Sequence, residues 1–144
     1  MIGRIQLRRL DAWHARRLAN AERIWDCARQ LRGLRTPSIP ADLVHAAYKC
    51  YLFVEPGLLA VGWDRDRILA EINARGVPCF YGSCSEVYLE KAFDNTGLRP
   101  AERLPVAREL GETSLMFLVH PTLTDAEIDK TCAVLTEVMA EAAY

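Results

Sequence analysis

One uninterrupted amphipathic stretch near the start of the chain limits the fold more than any other feature. Residues 4–32 contain neither proline nor glycine, and their apolar side chains recur at helical spacing: Leu7, Leu10, Trp13, Leu18, Ala21, Ile24, Trp25, Ala28 and Leu31. The pattern predicts one long helix that ends at Gly33, a residue suited to the position after a helix. The pattern is already running at Ile2, and no Ser, Thr, Asp or Asn precedes it as a cap. Helices of this length often bridge two domains or line a dimer seam.

Length and composition are those of one globular domain. The chain has 144 residues, 51% of them hydrophobic and 26% charged, which suffices for a core that folds alone. No apolar run approaches the roughly 20 residues that span a bilayer, and the first residues contain no secretory signal. The five cysteines are odd in number and match no disulfide framework, which favours reduced thiols in a cytoplasmic protein.

Charge is distributed unevenly along the chain. Residues 1–36 hold nine of the 18 basic residues, all arginine, but three of the 19 acidic residues. Such asymmetry can indicate a nucleic-acid arm. Here the arginines are spread along an amphipathic helix, without the aromatic and basic cluster typical of RNA-binding proteins. A solvated face, or one that meets acidic residues of a partner, is therefore preferred to binding of nucleic acid or of a membrane surface.

Three strands are predicted after the long helix. Residues 46–55 are rich in Tyr, Cys, Leu, Phe and Val and end at a turn. They are predicted to form a strand that is buried on both faces. Residues 77–82 form a short strand, which Pro78 confines to an edge or an end. Residues 113–120 form the third strand. With helices between them, these strands predict an α/β fold of the α+β two-layer sandwich type, a small three-stranded sheet covered by helices.

Capping signals mark the shorter helices. Asp64 can cap a helix that ends at Gly76, and Thr124 with Glu127 forms a capping-box pattern before the final helix. Ser83 and Glu86 have the same spacing before a further helix. Pro105 is expected to shorten or kink a helix in residues 100–111.

Local motifs offer little catalytic chemistry. The chain has no G-x-S-x-G, G-x-G-x-x-G or P-loop motif, and each cysteine lies in apolar sequence. The three histidines are interpreted as structural or solvent-facing. Cys79 and Cys84 are close enough in sequence to suggest a zinc site, but the chain has no second cysteine pair to complete one. The stretch "FYGSCSE" remains open to two interpretations: an anion site at a helix start, or a helix cap made by Ser83 and Glu86.

Four stretches, taken in order, resemble one enzyme family. They are "IGRIQLRRLDAWHARR", "HAAYKCYLFV", "RDRILAEINARGVPC" and "LPVARELGETSLMFLVHPTLTDAEIDKTCAVL". Together they resemble the C-terminal, small domain of the DegT/DnrJ/EryC1/StrS sugar aminotransferases, pyridoxal-phosphate enzymes of the aspartate aminotransferase fold (fold type I). The R-x-x-I-L-x-x-I-x-x-x-G-V block and the H-P-x-L-T-D-x-E-I finish are its most specific parts.

The resemblance implies an enzyme for the complete protein. Family members are homodimers with active sites at the subunit interface, and they transfer an amino group, usually from glutamate, to a keto sugar carried on a nucleotide. Their products supply sugars of polysaccharides and antibiotics. The reaction needs a Schiff-base lysine, an aspartate against the pyridine nitrogen and a phosphate cup. The resemblance places these groups in a large domain ahead of the segment that looks like "IGRIQL".

The resemblance also predicts which part of the parent protein this chain supplies. Residues 1–36 are predicted to be the inter-domain helix and residues 37–144 the small α/β domain. None of the lysines, Lys49, Lys91 and Lys130, has the sequence surroundings of a Schiff-base lysine. The chain is therefore expected to lack catalytic, cofactor-binding and metal-binding residues, to hold no pyridoxal phosphate and to be inactive alone. An oligomer is expected, because apolar surface is exposed without the large domain.

Residues near the substrate are implied by the same resemblance. The stretch "YGSCSEVYLEKAF" corresponds to a family loop close to where the nucleotide sugar enters, although the commonest version carries a His and a Pro there. Its candidate substrate-binding residues are Tyr81, Ser83 and Ser85, with His45 and Tyr48 behind them. Two alternatives to the enzyme fragment are a free-standing binding or oligomerisation module derived from such an enzyme, and a small metal or thiol enzyme using Cys79 and Cys84.

Overall fold

The long helix is present but ends earlier than the sequence pattern suggests. A computed structural model describes residues 2–144, and its first helix, α1, spans Ile2–Arg29. Gly33 follows with a φ of 82°, and a methyl group there would lie 3.1 Å from Met139, so the turn requires glycine. The helix was predicted to run to Gly33 but ends at Arg29, because the chain already turns over residues 30–33 to enter a strand.

The sheet has four strands rather than three. Strand β1 spans Leu34–Arg35, β2 Cys50–Val54, β3 Cys79–Phe80 and β4 Ser114–Phe117. They are arranged in the order β1-β2-β4-β3, and every neighbouring pair is antiparallel. The two-residue β1 gives no periodic signal, which is why the sequence missed it. It lies within residues 1–36, so that segment is not helical throughout. The position of β3 at an edge confirms the inference from Pro78.

Strand β2 is not buried on both faces, as its apolar sequence suggested. Its side chains alternate: Cys50, Leu52 and Val54 are buried, whereas Tyr51 and Phe53 are half-buried. The first set faces the core, and the second set faces the opposite side of the sheet. The predicted strands 46–55 and 113–120 also extended beyond the paired residues, because apolar sequence continued past the ends of the ladder.

Three helices cover the core face of the sheet. Helix α1 packs on α4, Asp125–Ala142, which in turn packs on α2, Arg65–Ala74. The largest side chains that the three helices bury completely are Trp25, Ile24, Ile68, Ile72, Ile128 and Leu135. Helix α3, Pro105–Thr113, instead packs against β2 on the other face, so the fold is more than two simple layers. The α/β class is confirmed.

Capping predictions succeeded at two helices and failed at a third. Asp64 accepts the Arg67 backbone N–H at 2.8 Å at the start of α2, and Thr124 forms the expected capping box at the start of α4. Pro105 occupies the first turn of α3 and thereby sets its start. The helix predicted after Ser85 is absent: two short 3₁₀ turns, Val87–Leu89 and Lys91–Phe93, replace it.

Among residues 2–144, no helix combines the length and apolarity that crossing a membrane requires.

Candidate functional site

The loop after β3 is held by one tyrosine of the sheet. Tyr51 Oη lies 2.9 Å from Ser83 Oγ and accepts the Ser83 backbone N–H at 3.1 Å. Gly82 makes the turn with a φ of 92°, and its Cα passes so close that a Cβ would lie 2.5 Å from Tyr51 Cε1. The Ser83 side chain is therefore engaged with Tyr51 rather than with a helix start, which removes half of the predicted capping box.

The carboxylate of Glu86 holds the later part of the same loop through a salt bridge with Arg103. Glu86 accepts hydrogen bonds from Arg103 Nε at 2.8 Å and from Tyr88 Oη at 2.6 Å. The Arg103 and Tyr88 hydrogen bonds lower the pKa of the Glu86 carboxyl to about 2. Tyr88 Oη also accepts the Leu104 backbone N–H, which joins the loop to the beginning of α3. Glu86 therefore anchors the loop through Arg103 and Tyr88, and the capping box predicted for it is wrong.

A shallow groove brings together three of the five predicted substrate-binding residues. The groove has a volume of about 630 Å³, and its lining includes His45, Tyr48, Tyr51 and Ser83. We call it the Ser83 groove. Tyr48 is exposed, and the His45 ring is fixed where its Nδ1 accepts the Ala47 backbone N–H at 3.1 Å. Ser83 is distant from His45 and Tyr48 in the sequence, and the antiparallel sheet brings it beside them.

The other two predicted residues lie outside the Ser83 groove. Tyr81 is exposed, and the Arg65 guanidinium lies 4.5 Å from its ring centroid. Ser85 lines a separate cavity of about 240 Å³ together with Ser83, Tyr51, Phe53 and Leu110. The binding role of all five residues stays a prediction.

Residues that sequence analysis missed link the grooves. Tyr51 lines both cavities that contain Ser83. On the other side, Tyr48 also lines a pocket of about 480 Å³ with Trp13, His14 and Arg17, which we call the Trp13 pocket. In the sequence, each segment has an aromatic residue near basic residues. The sequence does not reveal the link, because the two segments meet only in the tertiary structure.

The histidines and cysteines form no metal-binding group among residues 2–144. His14 Nε2 lies 2.9 Å from the His45 carbonyl oxygen, and His120 Nδ1 lies 2.8 Å from Thr122 Oγ1. Cys79 is buried, whereas Cys84 is exposed, so apolar sequence around a cysteine does not by itself bury it.

The lysines are positioned as surface side chains. Lys130 Nζ donates to the Gly76 carbonyl oxygen at 3.1 Å, and Lys49 Nζ lies 5.9 Å from the Tyr48 ring centroid. Lys91 is exposed at the start of a 3₁₀ turn. That this chain lacks a Schiff-base lysine stays a prediction.

Comparison with protein families adds decisive information to this geometry. The family model described as the DegT/DnrJ/EryC1/StrS aminotransferase family matches residues 1–136. The chain belongs to this family. The match includes α1, all four strands and most of α4, so it covers the Ser83 groove and the Trp13 pocket. No curated protein sequence matches this DegT/DnrJ/EryC1/StrS member.

Solved structures show the same fold in aminotransferases. An aminotransferase from Psychrobacter cryohalolentis is 55% identical, with a TM-score of 0.91 over 96% of this chain and 37% of its own. The aminotransferase TlmJ from Streptoalloteichus hindustanus is 25% identical, with a TM-score of 0.82 over 96% of this chain and 35% of its own. The DegT/DnrJ/EryC1/StrS chain described here therefore spans about a third of the length of these relatives.

Proposed function

We propose that this chain is the small domain of a pyridoxal-phosphate-dependent aminotransferase that acts on a nucleotide-linked keto sugar with glutamate as amino donor. The observation that carries the proposal is the 55% identity to the Psychrobacter cryohalolentis aminotransferase over 96% of the chain. A solved putative sugar aminotransferase from Streptococcus pneumoniae in its PMP form supports the same cofactor class for the fold. The sugar, the nucleotide and the glutamate donor rest on the family resemblance.

The cofactor is assigned to the rest of the parent protein. Pyridoxal phosphate, when bound, supplies an electron sink for transamination, but Lys49 and Lys130 here contact a tyrosine ring and a backbone carbonyl. We therefore propose that the isolated chain neither binds the cofactor covalently nor transaminates. The chain contributes the substrate-facing wall formed by the Ser83 groove.

The residues of this wall can bind a sugar by ordinary hydrogen bonding. Ser83 Oγ and Tyr51 Oη lie 2.9 Å apart, and after this bond and the Ser83 N–H bond the pair retains one O–H donor and some acceptor capacity for sugar hydroxyls. Tyr48 and His45 line the same groove. Because Gly82 and Tyr51 fix the loop, its donors are positioned before substrate arrives, which reduces the entropy lost on binding.

The first half of α1 exposes apolar side chains, which supports the proposal that another protein surface covers it. Ile2, Leu7 and Leu10 are exposed by 76%, 69% and 53%, whereas Ala21, Ile24 and Trp25 further along are buried. Apolar residues that point in several directions around a helix are typical of a helix enclosed by other protein. We propose that the large domain of the parent covers this half, and that the isolated chain oligomerises through it.

A chimera tests the proposed enzyme directly. The matching third of the Psychrobacter cryohalolentis aminotransferase is replaced by this chain, and amino transfer from glutamate to nucleotide-linked keto sugars is followed by mass spectrometry. Retained transfer is expected, and Ser83→Ala is expected to raise KM more than it lowers kcat. A folded chimera without transfer to any such sugar would contradict the proposal.

The isolated chain supplies the complementary test. It is incubated with pyridoxal phosphate, freed of excess cofactor and examined by visible spectroscopy. No stable aldimine band is expected. A stoichiometric band that disappears in a Lys49→Arg variant would show that the chain has a Schiff-base lysine after all, and would support a complete small enzyme instead.

A further inference from the structure

Two half-buried cysteines meet where α1 packs on α4. Cys27 lies in the last turn of α1, and Cys132 lies in the middle of α4. Cys27 Sγ lies 3.6 Å from the Cys132 carbonyl oxygen, and Cys132 Sγ lies 3.8 Å from the carbonyl oxygen of Arg23, one turn before Cys27. Each sulfur therefore contacts the backbone at, or one turn before, the other cysteine, although the two residues are 105 positions apart in sequence.

Contacts on both sides of this cysteine pair hold the two helices against each other. One turn earlier on α1, Arg23 forms a salt bridge with Asp129 of α4. On the other side, Cys27 Sγ lies 3.6 Å from Thr136 Oγ1, and the Thr136 hydroxyl donates to the Cys132 carbonyl oxygen at 2.9 Å. The two thiols are therefore held side by side by helix packing, and no loop has to move to bring them together.

The surroundings of the two thiols set the order in which they react. Burial, followed by the charge and the hydrogen bond of Cys27, raises the pKa of the Cys132 thiol to about 12. Because the thiolate is the nucleophile, a thiol with such a raised pKa is a poor first attacker. Cys27 is partly exposed, so a dissolved reagent can reach its sulfur. Cys27 is therefore the thiol that reacts first, and Cys132 is the neighbour within reach of the modified sulfur.

We propose that Cys27 and Cys132 form an oxidative modification site, at which a small disulfide such as oxidised glutathione converts the two thiols into a cross-link between α1 and α4. The Cys27 thiolate attacks one glutathione sulfur, which forms a Cys27–glutathione disulfide and releases one glutathione thiolate. Cys132 then loses its proton, attacks the Cys27 sulfur and releases the second glutathione thiolate. The two released thiolates take up the protons lost by the two cysteines. The protein is thereby oxidised by the loss of two hydrogens, and the glutathione disulfide is reduced to two thiols.

The cross-link has a consequence for stability that can be measured. It joins the last turn of α1 to α4 and closes a loop of 105 residues. Closing a long loop reduces the conformational entropy of the unfolded chain, so the oxidised domain resists unfolding more than the reduced one. The site lies beside the buried residues Ile24 and Ala28, in the second half of α1, and outside the Ser83 groove. The inference does not depend on the proposed function.

The test uses the full 144-residue chain carrying Cys84→Ser, which removes the exposed thiol and keeps four of the five cysteines. The folded chain is incubated with excess oxidised glutathione at about pH 8.5, where an ordinary thiol is half ionised, and the reaction is stopped with acid. Two of the four thiols are expected to disappear, with a mass lower by two hydrogens and a peptide that joins Cys27 to Cys132. The urea midpoint is expected to rise by about 1 M and to return on reduction.

Further substitutions in the same Cys84→Ser chain separate the two steps. Cys132→Ser is expected to stop at one glutathione on Cys27, because the second thiol is missing. Cys27→Ser is expected to form no cross-link and to carry at least about tenfold less glutathione on Cys132. The control is Cys50→Ala, which removes the buried cysteine of β2 and is expected to form the same cross-link. Circular dichroism checks that the three variants are folded.

Three results would overturn the inference. They are an unchanged thiol count after prolonged incubation of the folded chain, a cross-link that maps to Cys50 or joins two chains, and a glutathione adduct that persists on Cys27 although Cys132 is present. If a serine variant does not fold, the thiol count and the peptide map of the Cys84→Ser chain still decide. An inactive chimera leaves the cross-link untouched, and a missing cross-link leaves the proposed aminotransferase function untouched, so the two failures are distinguishable.

Discussion

Tyr51 and Ser83 are 32 residues apart in sequence, yet Tyr51 Oη lies 2.9 Å from Ser83 Oγ and accepts the Ser83 backbone N–H. Tyr51 belongs to a central strand and Ser83 to a loop beyond the edge strand β3. The contact fixes a substrate-binding candidate to a central strand of the sheet.

Tyr51→Phe removes the hydroxyl while keeping the ring. Loss of the paired hydrogen bonds is expected to lower the free energy of unfolding by about 1 kcal/mol and to speed amide hydrogen exchange at Ser83. Ser83→Ala is the matched change on the other side, and it retains the bond from the Ser83 N–H to Tyr51. If amide exchange at Ser83 is as slow in Tyr51→Phe as in the parent, then Gly82 and the chain connections alone fix the loop.

Gly82→Ala is expected to be far more destabilising than Gly57→Ala. Gly82 has a φ of 92°, and its new Cβ would meet Tyr51 Cε1 at 2.5 Å, whereas a Cβ at Gly57 meets nothing within 4 Å. Steric overlap with a fixed ring and left-handed backbone strain suggest a loss of about 1–3 kcal/mol in urea unfolding. Gly82→Ala should cost less stability in a Tyr51→Ala background than in the parent, because the ring that its Cβ would meet is gone. Equal destabilisation by the two glycine substitutions would contradict the close approach.

Lowering the pH should weaken the interaction between Glu86 and Arg103 that anchors the loop. Its pKa is lowered from 4.5 to about 2 by the Arg103 and Tyr88 hydrogen bonds. A lowered folded-state pKa stabilises the fold above the unfolded value, and this contribution disappears as pH falls from about 4.5 to about 2. In urea unfolding, Glu86→Gln should therefore be less stable than the parent at neutral pH, with the difference narrowing in acid.

A control for that titration is Glu102→Gln, since Glu102 is exposed and has no ion pair among residues 2–144. Its stability difference from the parent should be small at every pH. If Glu86→Gln and Glu102→Gln show the same pH dependence, the Arg103 pair contributes nothing specific to the loop.

One cysteine should react with a thiol reagent well before the others. Cys84 is exposed, whereas burial raises the pKa of the Cys79 thiol to about 12 and also raises that of Cys50. Desolvation and the Glu90 hydrogen bond raise the pKa of Cys84 as well, so its reaction should be slower than that of a free thiol. Ellman's reagent is expected to show one early thiol in the native chain and five in urea.

The assignment of that early phase is checked by Cys84→Ser, which should abolish it without changing the slower reaction. An early phase that survives this substitution would place a reactive thiol elsewhere.

Local signals in the sequence determined much of the backbone. The long apolar repeat of α1 and the Thr124 and Glu127 capping box of α4 needed only residues within a few turns of each other. Pro78 at an edge strand and Pro105 at a helix start acted through the missing N–H of proline. The family resemblance, now shown over residues 1–136, likewise depended on ordered local stretches.

Signals that depend on distant partners were misread. Ser83 and Glu86 have capping-box spacing, but Tyr51 and Arg103 bind their side chains, so short 3₁₀ turns replace the predicted helix. The side chains were open to either partner, and only the packing of α3 and β2 decided between them. Strand β1 escaped notice because two residues acquire strand character only when β2 lies beside them.

The sequence by itself determined which residues are available for chemistry: two serines after a glycine turn, a basic amphipathic helix and three lysines. The tertiary structure decided which of them act together. It joined Ser83 to His45 and Tyr48, left Tyr81 and Ser85 outside that groove, and brought Trp13 beside Tyr48. The physical reason is that antiparallel pairing and helix packing set long-range distances, which no local periodicity encodes.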